Sequence, residues 1–182
     1  MIVLVIGGSG SGKSEYAENL AVSLRQDSLI YIATMEPLDE ESRLRIGKHQ
    51  AMRKDKDFTT MECFTGLNRI ILPKDSTVLL ECMSNLVANE MFSPTGRKEG
   101  VLERIRHGIE KLTEQSEHLI LVTNNVFEDG CPYDSETIEY LKVLGALNQW
   151  AGSISNQVIE VVHGIPIFLK SGNLITGNKE AI

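Results

Sequence analysis

The chain of 182 residues is 42% hydrophobic and carries 25 acidic against 18 basic side chains, a net charge of −7. This fits one globular domain spanning residues 1–182 and argues against broad, salt-driven binding to nucleic acid. No apolar run approaches the ~20 residues of a membrane helix, and the apolar start is too short for a signal-peptide core, so a cytoplasmic protein is expected.

Residues 2–6, Ile-Val-Leu-Val-Ile, form a continuous apolar run, as in a strand buried on both faces of a parallel sheet. A glycine-rich stretch follows at once. Behind it Tyr16, Leu20 and Leu24, flanked by Ala17 and Ala21, predict a helix. Residues 28–33 read as a second strand. A charged helix is expected from Asp39 to about Lys54, its first turn favoured by Asp39, Glu40 and Glu41.

Residues 58–63 make a weak strand, and residues 77–80 a clear buried one ending at Glu81. Helices are predicted over residues 83–92 and along Val101, Ile105, Ile109 and Leu112. Residues 119–122 form the next buried strand, ending at Thr123-Asn124. Leu141, Leu144, Leu147 and Ala151 mark a helix with Asp134 as its cap. Two strands flank the His163-Gly164 turn, and Pro166 puts the second at an edge. Strands alternating with helices mean an α/β fold with a mainly parallel sheet and a C-terminal edge hairpin. The loops after the parallel strands then share one carboxyl edge, where ligands bind. Cys63, Cys82 and Cys131 show no CxxC spacing and read as free thiols of a reducing compartment.

Gly7, Gly12, Lys13 and Ser14 meet the pattern G-x-x-x-x-G-K-S between a strand and a helix. The glycines let backbone N–H groups turn inward on phosphates. Lys13 supplies charge to the β and γ phosphates, and the Ser14 hydroxyl is a ligand for Mg²⁺. The following helix aims its positive end at the same anion. Residues Gly7, Gly8, Ser9, Gly10, Ser11, Gly12, Lys13 and Ser14 are therefore the predicted phosphate cradle of a P-loop enzyme. Glu81 stands where the second, acidic metal ligand is expected; the other reading is a solvated carboxylate at a strand end. Asn124 and Asn125 suit either substrate orientation or turn chemistry.

Several segments together resemble one family. They are GGSGSGKS at 7–14, YIAT at 31–34, D-E-E-x-R-x-R-I-x-x-H ending at His49, and T-x-E ending at Glu62. LLEC at 79–82 with Asn89 following, LVTN at 121–124 and VVHGIP at 161–166 complete the set in order. The chain resembles the bifunctional adenosylcobinamide kinase/adenosylcobinamide-phosphate guanylyltransferases of cobalamin assembly, and the likeness spans nearly all of it. The resemblance implies a P-loop NTPase (RecA-like) fold and two reactions at one site. ATP or GTP phosphorylates adenosylcobinamide; GTP then guanylylates a histidine, and the GMP passes to adenosylcobinamide phosphate. His49 matches the guanylyl acceptor, although its helical position alone would suit a surface histidine. Ala33, Thr34, Met35, Gln50, Ala51, Met52, Arg53, Glu62 and Glu81 match nucleotide-contact positions. Mg²⁺ as cofactor and a homo-oligomer, with a trimer as the form many members take, are also implied.

Two departures stand out. Many family members read T-N-E-V where this chain has Thr123-Asn124-Asn125-Val126, and an arginine-bearing stretch is replaced by residues 133–137. A P-loop kinase for another small alcohol or nucleotide would keep Lys13, Ser14 and Glu81 without needing His49. A guanine-reading switch commonly carries N-K-x-D, which this sequence lacks.

Overall fold

The computed structural model describes residues 1–126 and 132–172, so Cys131 lies outside the described residues. The elements run β1 (Ile2–Gly7), α1 (Lys13–Ser23), β2 (Ser28–Ala33), α2 (Glu40–Arg53), β3 (Thr59–Glu62), β4 (Ser76–Glu81) and α3 (Met83–Phe92). Then come α4 (Val101–Gln115), β5 (Ser116–Asn124), α5 (Ser135–Ile154), β6 (Gln157–Val162) and β7 (Ile165–Lys170). The strands form one sheet in the order β3-β2-β4-β5-β1-β6-β7. Pairing is parallel from β3 through β6, and β7 returns antiparallel at the edge, where Pro166 is tolerated.

Successive side chains of a strand point to opposite faces, so the sheet builds two cores. Leu4, Ile30, Ile32, Val78, Leu80, Leu119 and Leu121 face the layer of α3, α4 and α5. Val3, Val5, Leu29, Tyr31, Leu79, Ile120 and Val122 face α1. Because both faces are covered, the central strands lack polar alternation, which is why they read as unbroken apolar runs.

Helix α1 differs in detail from its predicted stripe. Ala17, Glu18 and Ala21 are buried, while Tyr16, Leu20 and Leu24 pack at the rim. Small side chains let the helix lie close on the sheet, and the larger ones seal its flanks. The predicted weak strand forms as β3 and closes the edge opposite β7. Asp134 caps α5 by accepting from the Thr137 amide at 2.8 Å, as the sequence implied.

Candidate nucleotide site

The parallel strands end together, and the site is made from the residues just beyond those ends. After β1 the chain turns through Gly10 and Gly12, with φ of 71° and 90°, left-handed values that suit glycine. Gly12 is also the N-cap of α1 and offers no side-chain cap, so the first N–H groups of the helix remain open to an anion. A Cβ on Gly12 would stand 3.2 Å from the Gly164 Cα in the β6–β7 turn. That turn backs the loop directly, because the Gly164 amide donates to the Ser11 carbonyl at 2.8 Å. Lys13 Nζ donates to the Gly8 carbonyl at 3.1 Å, across the loop it closes. Burial holds the Lys13 ammonium below the ordinary lysine pKa.

Glu81 ends β4 on the α1 face and is buried at 8% exposure. Ser14 Oγ donates to its Oε1, and the Tyr31 hydroxyl donates to its Oε2 at 2.9 Å. Burial pushes the Glu81 carboxyl up. The neighbouring His49, Ser14 and Tyr31 outweigh this and hold its pKa below the usual carboxylate value. Register alignment puts Glu62, Ala33 and Glu81 in one row across β3, β2 and β4, so both carboxylates face the same side.

The backbone behind this row is tied by side chains. Thr34 Oγ1 donates to the Glu81 carbonyl at 2.8 Å and accepts from the Cys82 amide at 2.6 Å. Asn89 Nδ2, from α3, donates to the carbonyls of Thr34 and Phe64 at 2.7 and 3.0 Å. Asn124 Nδ2 donates to Ser84 Oγ at 2.7 Å, and the Asn125 amide donates to the Gly7 carbonyl at 3.3 Å. The asparagine pair thus fixes strand ends, and Asn124 also borders the cavity.

Helix α2 closes the site from above. Its start is a capping box: Asp39 accepts from the Ser42 amide, and Ser42 Oγ accepts from the Asp39 amide. Of its residues only Arg53 is buried. The Arg53 guanidinium lies 3.5 Å from the centroid of the Tyr31 ring, and Phe58 meets the same ring edge-on at 5.9 Å. One turn earlier, on the same helix face, His49 comes down to Glu81, with Nδ1 3.5 Å from Oε1.

The result is a cavity of 830 Å³ over the P-loop. Of the predicted residues, Ser9, Gly10, Ser11, Gly12, Lys13, Ser14, Ala33, Thr34, Met35, His49, Gln50, Met52, Arg53, Glu62 and Glu81 line it. Gly7, Gly8 and Ala51 do not. Gly7 and Gly8 lie beneath the loop as backbone supports, and Ala51 points outward from α2. Among the other histidines, His107 and His163 are exposed and His118 is partly covered, all outside the cavity lining. Sequence reasoning missed Tyr31 as the hydroxyl partner of Glu81, and it missed Glu18, which is fully buried. The available signal for Glu18 was its spacing, four residues after Ser14 on one helix face.

A glycine loop with lysine and serine, a strand-end carboxylate and the carboxyl edge of a parallel sheet define a P-loop nucleotide-binding protein. Solved structures agree on the fold. The flagellar accessory protein FlaH from Methanocaldococcus jannaschii superposes with a TM-score of 0.51 at 12% identity, over 94% of this chain and 78% of that one. A type III secretion ATPase from pathogenic bacteria gives 0.52 at 10% identity, over 87% and 50%. The sequence model of the family described as cobinamide kinase / cobinamide phosphate guanyltransferase matches residues 3–169, and this chain belongs to that family. It is 32% identical to the bifunctional adenosylcobalamin biosynthesis protein CobU of Salmonella typhimurium, over 93% of this chain and all of that protein. It is 29% identical to the corresponding CobP of Pseudomonas aeruginosa, over 92% and 96%.

Proposed function

We propose that this chain works as one catalytic domain that phosphorylates adenosylcobinamide with ATP or GTP. It then transfers GMP from GTP to the phosphorylated product through a guanylyl-His49 intermediate, giving adenosyl-GDP-cobinamide. The observation that carries this reading is the placement of His49: its imidazole lines the cavity that holds Lys13 and Ser14, beside Glu81. An ordinary small-molecule kinase would not need a histidine there.

In the first reaction the P-loop amides and Lys13 hold the triphosphate and take up the charge that builds on its terminal oxygens. In the second, a nitrogen of His49 attacks the α-phosphorus and the bond to pyrophosphate breaks. The acceptor's phosphate oxygen then attacks the same phosphorus and the P–N bond breaks, freeing the imidazole. Gln50, Met52 and Arg53 from α2, with Ala33, Thr34, Met35 and Glu62 from the strand ends, are the groups proposed to hold the nucleotide around this phosphate. Ala51 would act only through the backbone of α2.

Mg²⁺ fits the donor set. The Ser14 hydroxyl and the Glu81 carboxylate are hard oxygen ligands already drawn together at the phosphate end of the cavity. When bound, the ion would neutralise charge on the bridging phosphate oxygens.

The setting and assembly are also proposals. Among the described residues no helix is long and apolar enough to cross a membrane, and Cys63 and Cys82 are free, buried thiols, which supports a reducing cytoplasm. Ile165, Ile167, Phe168 and Leu169 on edge strand β7 are between 44 and 65% exposed, which supports a homo-oligomer. Sedimentation of Phe168→Glu beside the natural chain tests this; an unchanged mass would remove β7 from the interface.

Incubation with α-labelled GTP and Mg²⁺ decides the central claim. Acid-labile, alkali-stable label is expected on the natural chain and none on His49→Ala, while kinase turnover of His49→Ala stays within about threefold. Label retained by His49→Ala would end the covalent reading at this residue. An unlabelled natural chain with kinase turnover would leave a plain kinase.

A further inference from the structure

Beneath His49 lies a group that the two-reaction scheme leaves idle. Glu18 is completely buried, and it does not line the cavity. Its Oε2 accepts from Lys56 Nζ at 2.8 Å, while its Oε1 is buried with no hydrogen-bond partner. His49 Nδ1 is likewise buried and makes no hydrogen bond, standing 3.5 Å from Glu81 Oε1. One nitrogen of His49 and one carboxylate oxygen each of Glu18 and Glu81 lie within 4.8 Å of one another. Both Glu81 oxygens are already engaged, by Ser14 and by Tyr31. The cluster thus holds one carboxylate oxygen, Glu18 Oε1, and one ring nitrogen, His49 Nδ1, that make no hydrogen bond. Burying either without a partner is costly, so a partner is expected when the site is working.

We infer that Glu18 is a positioning carboxylate that accepts a hydrogen bond from His49 Nδ1–H and leaves Nε2 free to attack phosphorus. This rests on His49 being the guanylyl acceptor. In the neutral imidazole one nitrogen carries the proton and the other the lone pair, and the partner of the first selects the second. As Nε2 bonds to the α-phosphorus and the P–O bond to pyrophosphate breaks, the ring becomes a cationic imidazolium that keeps its Nδ1 proton. The Glu18 carboxylate faces that new charge in a water-poor setting, where its stabilisation is strongest. When the acceptor's phosphate oxygen attacks, the P–N bond breaks and the ring returns to neutral with the same proton. No proton leaves the ring in either half.

The surroundings agree with a charge-holding role. Burial raises the Glu18 carboxyl pKa, and Lys56 opposes the rise, keeping a counter-ion for the carboxylate. The same three groups make a poor divalent-metal centre, because Lys56 already neutralises Glu18 and the Arg53 guanidinium lies close by against Tyr31.

Glu18→Gln tests the inference, since it keeps the shape and an oxygen for Lys56 but removes the charge. Three readouts on the full chain are compared: single-turnover labelling from α-labelled GTP, kinase turnover, and ¹⁵N imidazole spectra with a non-hydrolysable GTP analogue and Mg²⁺. Labelling is expected to slow about 10- to 100-fold, the range of one charge-assisted hydrogen bond, with kinase turnover within about threefold. The His49 ring is expected as a single Nδ1–H tautomer in the natural chain and as a mixture in the variant. Partial recovery of labelling by Glu18→Asp is expected, and a space-filling role would not produce it. An Nε2–H tautomer in the natural chain, unchanged labelling in Glu18→Gln, or equal loss of both activities would each overturn the inference. Failure of the underlying scheme shows separately, as label retained by His49→Ala.

Discussion

The two halves of the site are built in contrasting ways. The phosphate half consists of main chain and strand ends: left-handed glycines, the open N-terminus of α1, and Glu81 at the end of a fully buried strand. The histidine half rides on α2, a polar helix that buries one side chain, Arg53, and reaches the sheet through the Tyr31 ring. The first half is set by the fold and leaves little freedom. The second depends on a few side-chain contacts, as expected of an element that must approach and leave a bound nucleotide.

The largest test of this contrast is Lys13→Ala, which removes the charge both halves share. Phosphoryl transfer and histidine labelling are both expected to fall by about 10²- to 10³-fold or more, measured on the same preparation. Retention of either activity would mean that the two reactions do not share one phosphate site.

Glu81→Gln acts at the seam between the halves. Loss of its charge-assisted contacts is expected to slow both reactions by roughly tenfold or more. The variant also has a pH signature. The folded-state Glu81 carboxyl is held below its unfolded value, so its stabilisation is present above the unfolded pKa and is lost as pH falls through the lower folded one. Urea midpoints taken from neutral to acid pH should therefore fall less steeply in Glu81→Gln. A steeper fall would mean that burial, not its neighbours, governs this carboxyl.

Gly12→Ala strikes the phosphate half alone. A Cβ at φ 90° facing Gly164 is strained, at about 1–3 kcal/mol, seen as a Tm lowered by roughly 2–12 °C. Nucleotide affinity should fall with it. The smallest effect belongs to the other half: Arg53→Met gives up the cation–π contact, worth about 1 kcal/mol, or roughly 2–4 °C in Tm. Its labelling rate should fall more than its kinase rate, since α2 carries His49. Equal effects on the two rates would dissolve the distinction between the halves.

The same contrast explains what was readable in the sequence. The P-loop, the central strands and Glu81 follow from short-range rules: an apolar run, a glycine pattern, a carboxylate at a strand end. The descent of His49 to Glu81 does not, because α2 has no apolar stripe to fix its orientation, and only the likeness to a family singled that histidine out. Glu18 escaped notice for a related reason. A glutamate on the second turn of a helix is ordinarily solvated, and its burial arises only because the neighbouring alanines bring α1 flat against the sheet while Lys56 reaches it from beyond α2.

The hydrogen bond from the Gly164 amide to the Ser11 carbonyl joins opposite ends of the described chain. A nascent polypeptide halted before β6 would already hold the whole glycine motif yet lack the hairpin that braces it. Competence to grip a triphosphate should therefore arrive late in synthesis, and nucleotide capture by ribosome-bound chains of increasing length would time the closing of the C-terminal hairpin.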